Sequence, residues 1–397
     1  MPLNFTISAT CRDNSARLGR VETPHGGFDT PAFMPVATAA AMKCLTVDQV
    51  RATGSQIILN NAYHLMLRPG ADRVARLGGT HRFMRWDGPI LTDSGGYQAF
   101  SMSDINSVDE SGVTFRSFVN GSRITLTPER SIEVQNQIGA DIIMAFDDCP
   151  PSREEDCVNP EKRVKLTGMT YEQRLEASND RTARWLERCI RAHARPDEQA
   201  LFGIVQGGTS EALRTRSVEQ VCSHDLPGYA IGGVAVGEGP DQIHRTVQFT
   251  AGLLPPEKPR YLMGVGYERD IVRAVAAGVD MFDCVLPTRN GRKAYAFTRT
   301  GPLKLKNARF TEDQSPIEPG CQCPTCAQGF SRAYLRHLFM ADEWLGQTLV
   351  SQHNLWHYQA LLLDIRRSIR DDSWSSLAEA WPVVQPSDEP RDPSAVT

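Results

Sequence analysis

The sequence predicts an α/β protein built as a (β/α)8 TIM barrel, and three observations predict it. Eight apolar runs of strand length recur with helix-like segments between them, at 32–37, 56–60, 90–92, 142–146, 201–205, 229–232, 261–264 and 279–285. They are apolar throughout rather than alternating, which suits parallel strands buried on both faces. The units span about 250 residues, the size of such a barrel. Directly after the runs stand Asn60-Asn61, Asp93-Ser94-Gly95-Gly96, Asp147-Asp148, Gln206-Gly207-Gly208, Gly232-Gly233, Gly264-Val265-Gly266 and Asp283. A barrel gathers all of these at one end, where active sites form. A doubly wound open sheet is the competing layout.

In chain order, residues 1–30 predict a short β-rich start with Gly26-Gly27 as a turn. Asn120-Gly121 between the strand-like runs 113–119 and 122–126 is a strong hairpin signal, read as an inserted hairpin near the barrel mouth. Residues 150–170 are polar and read as a loop, followed by a helical pattern over 171–193. After Phe310 the character changes, and helical runs are expected over 331–349 and 354–370. The chain is therefore divided into a barrel domain, 1–310, a subdomain packed on it, 311–380, and a frayed tail rich in Pro, Ser and acids, 381–397.

The 397 residues are 41% hydrophobic and 23% charged with a net charge of −4, which excludes a globally basic nucleic-acid coater. No apolar run approaches the roughly 20 residues needed to span a bilayer, and Met1 to Arg12 hold no signal-peptide core. Ten cysteines, mostly in apolar segments, fit a reducing cytoplasm.

Three thiols, Cys321, Cys323 and Cys326, form a soft-metal nest. Zinc in a closed structural site needs a fourth N or S ligand. His337, His353 and His357 all follow on the predicted helices, and spacing alone does not choose among them. Four protein ligands leave no position for a catalytic water.

Asp93 and Asp283 both end apolar runs. Two carboxylates across a barrel mouth suit chemistry at a sugar anomeric carbon, one attacking and the other moving protons. The competing reading of Asp93 is a helix N-cap. Asp147, Gln206 and the Gly232-Gly233 backbone offer a carboxylate, an amide and N–H groups that match the edge of a guanine-like base, and Tyr97 and Met263 are placed to sandwich the ring. Met263 reads equally well as core. From Val285 to Phe310 every charged residue is basic: Arg289, Arg292, Lys293, Arg299, Lys304, Lys306 and Arg309. Such a strip suits phosphate contacts, against the usual fate of charges as a solvated face.

Together Asp93-Ser94-Gly95-Gly96-Tyr97-Gln98, Phe146-Asp147-Asp148-Cys149, Val205-Gln206-Gly207-Gly208, Gly232 to Glu238, Phe282-Asp283-Cys284-Val285-Leu286-Pro287-Thr288-Arg289 and the Cys-x-Cys-x-x-Cys with a later His-Asn resemble the queuine tRNA-ribosyltransferases, the tRNA-guanine transglycosylases. The resemblance runs from about Phe5 to Arg370 and takes in Asn61 to Leu65 and Pro128 to Ser131. It implies a barrel with a zinc-binding helical subdomain that exchanges the wobble guanine of tRNAs with a GUN anticodon for a deazaguanine. Carried over by motif, Asp283 is the nucleophile and Asp93 the general acid/base. Asp147, Gln206 and Gly233 hold the base, while Cys321, Cys323, Cys326 and His353 bind one Zn2+. Cys149 and Val236 resemble the bacterial form, whose incoming base is preQ1 (7-aminomethyl-7-deazaguanine), with Glu238 near its ammonium. Arg289, Arg292 and Lys293 would face the tRNA, and the family suggests a homodimer. The chain departs from the pattern at Asp148, where Glu is usual, at Val234, in the Cys326–His353 gap and in the expanded 150–170 segment. A barrel N-glycoside hydrolase and a non-catalytic tRNA-binding partner subunit are the alternatives.

Overall fold

The computed structural model describes residues 2–101, 107–151 and 169–385. Each of the eight apolar runs supplies a barrel strand: β1 (Ala32–Ala37), β2 (Ile58–Asn61), β3 (Ile90–Asp93), β4 (Ile142–Met144), β5 (Ala200–Val205), β6 (Gly228–Ile231), β7 (Arg260–Leu262) and β8 (Met281–Cys284). All neighbours are parallel, β8 pairs with β1, and β3 with β4, so the sheet closes. The open-sheet alternative is therefore excluded. Side chains alternate between two cores. Met34, Leu59, Leu91, Met144, Phe202, Ile204 and Met281 belong to one cluster, while Phe33, Ile58, Ile143, Leu201 and Val205 belong to the layer under the helices. This is why the runs carry apolar residues on both faces.

Residues 4–30 form a three-stranded antiparallel sheet, Asn4–Thr10, Arg17–Thr23 and Gly26–Thr30; the turn expected at Gly26-Gly27 falls instead on Pro24-His25, and the two glycines open the third strand opposite Thr23 and Glu22. Its Val21 and Phe28 join the same cluster as Met34 and Met281 and so plug the barrel floor. Two polar clamps fasten it there. Arg17 donates to both oxygens of buried Asp280 at 2.9 and 2.6 Å. His25 and His81, stacked with centroids 3.6 Å apart, share the buried carboxylate of Asp141.

The hairpin is present as Val113–Arg116 paired with Arg123–Leu126 around Gly121 at φ 71°, with Ser107–Val108 as a third strand. Among the outer helices, α1 (Pro128–Ile138), α2 (Tyr171–Ala192) and α3 (Glu211–Cys222) follow β3, β4 and β5, and short α4 (Leu286–Arg292) follows β8. Most of the 150–170 loop lies outside the described residues.

The C-terminal part differs from expectation. The helix predicted over 331–349 ends at Met340, because Asp342 takes a left-handed φ of 54°. A single helix, α5 (Trp344–Arg370), then runs through the stretch read as a break, so His353 sits mid-helix rather than at a helix start. α5 packs against β1 and against the helices Val47–Arg51 and Glu268–Ala276, which is the station of an eighth barrel helix. The division at residue 310 thus separates the barrel from one of its own outer helices. Trp381, placed in the expected tail, is fully buried and donates to Asp364 at 3.0 Å; residues 386–397 lie outside the described residues.

Candidate active site

The strand ends converge at one mouth, and the geometry there begins with Asp93. It ends β3 almost fully buried. Asn61 Nδ2 donates to its Oδ2 at 2.6 Å, and the Ala62 amide to its Oδ1 at 3.0 Å. Both donors come from the start of the helix Ala62–Leu67, which directly continues β2. Burial lifts the Asp93 carboxyl to about 7, and the nearby charge of Asp283 adds to the effect. The bonds from Asn61 and Ala62 tie Asp93 to the neighbouring strand end, and the Gly95 amide of its own loop also holds it.

Asp283, near the end of β8, is half-buried. Its Oδ1 accepts from the Tyr261 hydroxyl at 2.6 Å and from the Gly264 amide at 2.8 Å. Both partners come from β7 and the turn after it. Burial raises the Asp283 carboxyl above the usual range, while these two bonds pull it back. The arrangement fixes one oxygen and presents the other.

Asp147 is buried and accepts from Gln206 Nε2 at 2.6 Å. Desolvation, with Asp148 next to it, lifts it to about 7. Gln206 lies tight against Gly233: a Cβ there would stand 2.3 Å from Gln206 Oε1, and the backbone takes a φ of 63°. Only glycine fits. Asp147, Gln206 and Gly233 are thus one contiguous set. Tyr97 is about half exposed (49%); burial of its hydroxyl end and then Cys149 push its phenol up, so the two are neighbours. Burial pushes the Cys149 thiol up to about 12, so it is no nucleophile at neutral pH. Met263 is partly buried against the inner barrel cluster. Glu238 turns back on its own loop, accepting from the Ala235 and Val236 amides at 2.7 and 3.0 Å.

The sequence reading missed two groups. Arg214, on α3, is completely buried and donates to the carbonyls of Val205, Gly208, Gly232 and Gly233 at 2.7–3.2 Å. It staples the ends of β5 and β6 together behind the Gln206–Gly233 contact. Burial lowers its guanidinium to about 10. Asp148 takes a bidentate bridge from Arg174 at 2.8 and 2.6 Å and a further bond from Arg181. This ties α2 to the end of β4, so the shorter acid at this position has a structural use.

Past Asp283, α4 carries Arg289 and Arg292, both half-buried, and Lys293 stands exposed at its end. Arg299, counted in the cationic strip, is instead occupied by Asp364 at 3.2 Å and lies over the Trp381 ring. Lys304, Lys306 and Arg309 are exposed.

Cys321, Cys323, Cys326 and His353 bring four N/S donors within 4.8 Å of one another. His353 Nδ1 lies 3.9, 3.3 and 3.6 Å from the three sulfurs. Its Nε2 donates to the Phe297 carbonyl at 2.8 Å, which leaves the Nδ1 lone pair facing the thiols. Asn354 holds the Phe297 amide at 2.9 Å. This donor set fits a metal ion of the zinc type; His337 and His357 are not part of it, and His357 instead bonds Glu268 at 2.9 Å.

No helix of the described residues is long and apolar enough to cross a membrane. A model of the family described as queuine tRNA-ribosyltransferase matches residues 11–386. Proteins named queuine tRNA-ribosyltransferase are similar along almost their whole length. The one from Cyanothece sp. is 51% identical over 386 residues, 97% of each chain. Those from Geobacillus kaustophilus and Bacillus mycoides are each 48% identical over 95% of each chain. With matches of this extent laid over a closed barrel whose mouth gathers Asp93, Asp147, Gln206 and Asp283, the chain belongs to the queuine tRNA-ribosyltransferase family.

Proposed function

We propose that the protein is a tRNA-guanine transglycosylase of queuosine biosynthesis that exchanges the wobble guanine of GUN-anticodon tRNAs for preQ1 through a ribosyl ester on Asp283. The observation that carries this reading is the pair of bonds on Asp283 Oδ1, from Tyr261 and Gly264, which leaves Oδ2 to attack. Oδ2 forms a bond to ribose C1′ as the C1′–N9 bond breaks; N9 keeps the pair and takes a proton from Asp93. Guanine leaves and preQ1 enters the same pocket. Its N9–H gives the proton back to the Asp93 carboxylate, N9 attacks C1′, and the ester opens. One glycosidic bond replaces another, so no energy source is required. A carboxyl near 7 suits a group that gives and takes a proton in one cycle.

In this reading Asp147, Gln206 and the Gly233 amide read the base edge, Tyr97 and Met263 flank the ring, and Cys149 and Glu238 line the pocket. Arg289, Arg292 and Lys293 meet the tRNA backbone. The metal is Zn2+, held by Cys321, Cys323, Cys326 and His353 in a structural role. Exposed Met340, Trp344 and Leu345 beside the metal subdomain suit contact with a second copy in a homodimer. Free cysteines and the thiolate site suit the cytoplasm. A non-catalytic subunit would gain nothing from burying Asp93 and Asp147 at a cost to stability, and a hydrolase has no need of a base pocket that must be refilled.

The test is Asp283→Asn with radiolabelled guanine, preQ1 and queuine offered on one tRNA. Exchange should fall by roughly 10,000-fold or more, and no denaturant-stable RNA–protein adduct should form. A stable adduct trapped with the variant overturns the assignment; incorporation of queuine in preference to preQ1 overturns the base.

A further inference from the structure

The hairpin inserted after β3 carries on its outer face a charge arrangement that the fold does not need. Its inner residues, Val113, Phe115 and Leu126, are buried. On the other face the register sets Thr114 opposite Thr125 and Arg116 directly opposite Arg123. The threonine hydroxyls bond at 2.9 Å, but the two arginines repel. Like charges facing each other across a strand pair cost stability. Both side chains are exposed, and among the described residues neither has a carboxylate within ion-pair distance.

Phe118, just past Arg116, is 56% exposed at the tip. Its ring lies 6.0 Å from Tyr63 and 5.6 Å from His64, centroid to centroid. Tyr63 is the residue after Ala62, whose amide bonds Asp93, and a Cβ on Gly95 would touch Tyr63 at 3.1 Å. The tip therefore stands beside the acid at the mouth.

We propose that this hairpin grips the RNA strand entering the site, with Arg116 and Arg123 straddling a backbone phosphate and Phe118 stacking on an unpaired base. A phosphate between the two guanidinium forks turns a repulsive pair into two charge-assisted contacts. An exposed ring next to cationic side chains is the pairing that holds single-stranded nucleic acid. An acidic protein surface would satisfy the arginines but would leave Phe118 without a role. The inference rests on the RNA-modifying reading above and adds where the strand lies on the side of the mouth away from α4.

The experiment measures binding of an anticodon stem-loop RNA to the full metal-loaded chain by fluorescence anisotropy across a salt series. Arg116→Ala/Arg123→Ala should weaken binding about tenfold and lower the slope of log Kd against log salt by about 1. Phe118→Ala should weaken binding about tenfold with the slope retained. The double variant should melt no lower than wild type at low salt, since it removes a repulsive pair, and KM for tRNA should rise with Kd. A double variant with wild-type affinity and slope, on a chain that exchanges guanine into tRNA, overturns the hairpin's role and leaves the enzyme reading intact. A chain that binds the stem-loop through these arginines yet exchanges no guanine supports the hairpin and overturns the enzyme reading.

Discussion

Burial lifts the carboxyls of Asp93 and Asp147 to about 7, and the direction of that shift fixes what each does to stability. An unfolded aspartate titrates at about 3.9. Between that value and about 7 the folded chain holds more protons than the unfolded one, so these two residues make stability fall as pH rises through that window. Asp93→Asn removes one of the buried charges. It should raise the melting temperature at pH 8, by up to about 4 kcal/mol of stability for a shift of this size, with the gain vanishing as pH approaches 4 and exchange activity lost at every pH. Melting curves at pH 4, 6 and 8 check it; a gain independent of pH would mean that packing, not charge, separates the variants. Asp93, Asp283, Asp147 and Gln206 were all legible in the sequence because each stands flush with the end of an apolar run. Arg214 was not. One of two arginines in a polar helix, EALRTRSVEQVC, reads as surface, and only the fold shows α3 turning it under two strand ends.

At the level of elements, α3 is the part that holds the loops after β5 and β6 in register. Arg214→Met would take the guanidinium donor from four carbonyls at the ends of β5 and β6, of which, among the described residues, Val205 alone keeps a second bond, from the Gly232 amide. The expected cost is about 3–5 kcal/mol, with KM for the incoming base raised more than KM for tRNA. Arg214→Lys should recover little, since one ammonium cannot reach four acceptors spread around a planar fork. Urea unfolding and steady-state kinetics on both substrates check this. The C-terminal helices show where sequence patterning fails. Val350, Ser351 and Gln352 look like a break, yet they are buried: a Cβ on Gly291 would lie 2.7 Å from Ser351 Cα, so α4 and α5 touch backbone to backbone. The true break is made by Asp342, which adopts a left-handed conformation without the Gly or Pro that usually announces one. The hairpin and the eight strands were legible because Asn-Gly and unbroken apolar runs are local signals.

Across the whole molecule, the two ends of the barrel have separate tasks. The mouth holds acids whose burial costs stability, while the floor holds clamped pairs, Arg17–Asp280 and His25–Asp141–His81, that fasten the N-terminal sheet. The metal site reaches both through α5. This helix carries His353, touches Gly291 of α4, the helix that follows β8, and bonds β1 and its preceding residue through Gln359 to Phe33 O at 3.1 Å and Arg366 to Pro31 O at 2.7 Å. Removing the metal with a chelator should therefore lower the melting temperature of the entire chain, not melt a separate subdomain first. Calorimetry should show one transition shifted down, with exchange lost at temperatures where the holo form is fully active. Two resolved transitions would show that the subdomain unfolds alone.

The placement of α5 also bears on how the chain is made. A ribosome delivers β1 near the beginning and its flanking helix near the end, after the thiol nest has been threaded out. Until residues 344–370 leave the exit tunnel, the seam between first and last strands lacks α5 and leaves the apolar surface that α5 covers open to water. The wall of the barrel beside β1 is thus completed only once residues 344–370 have been made.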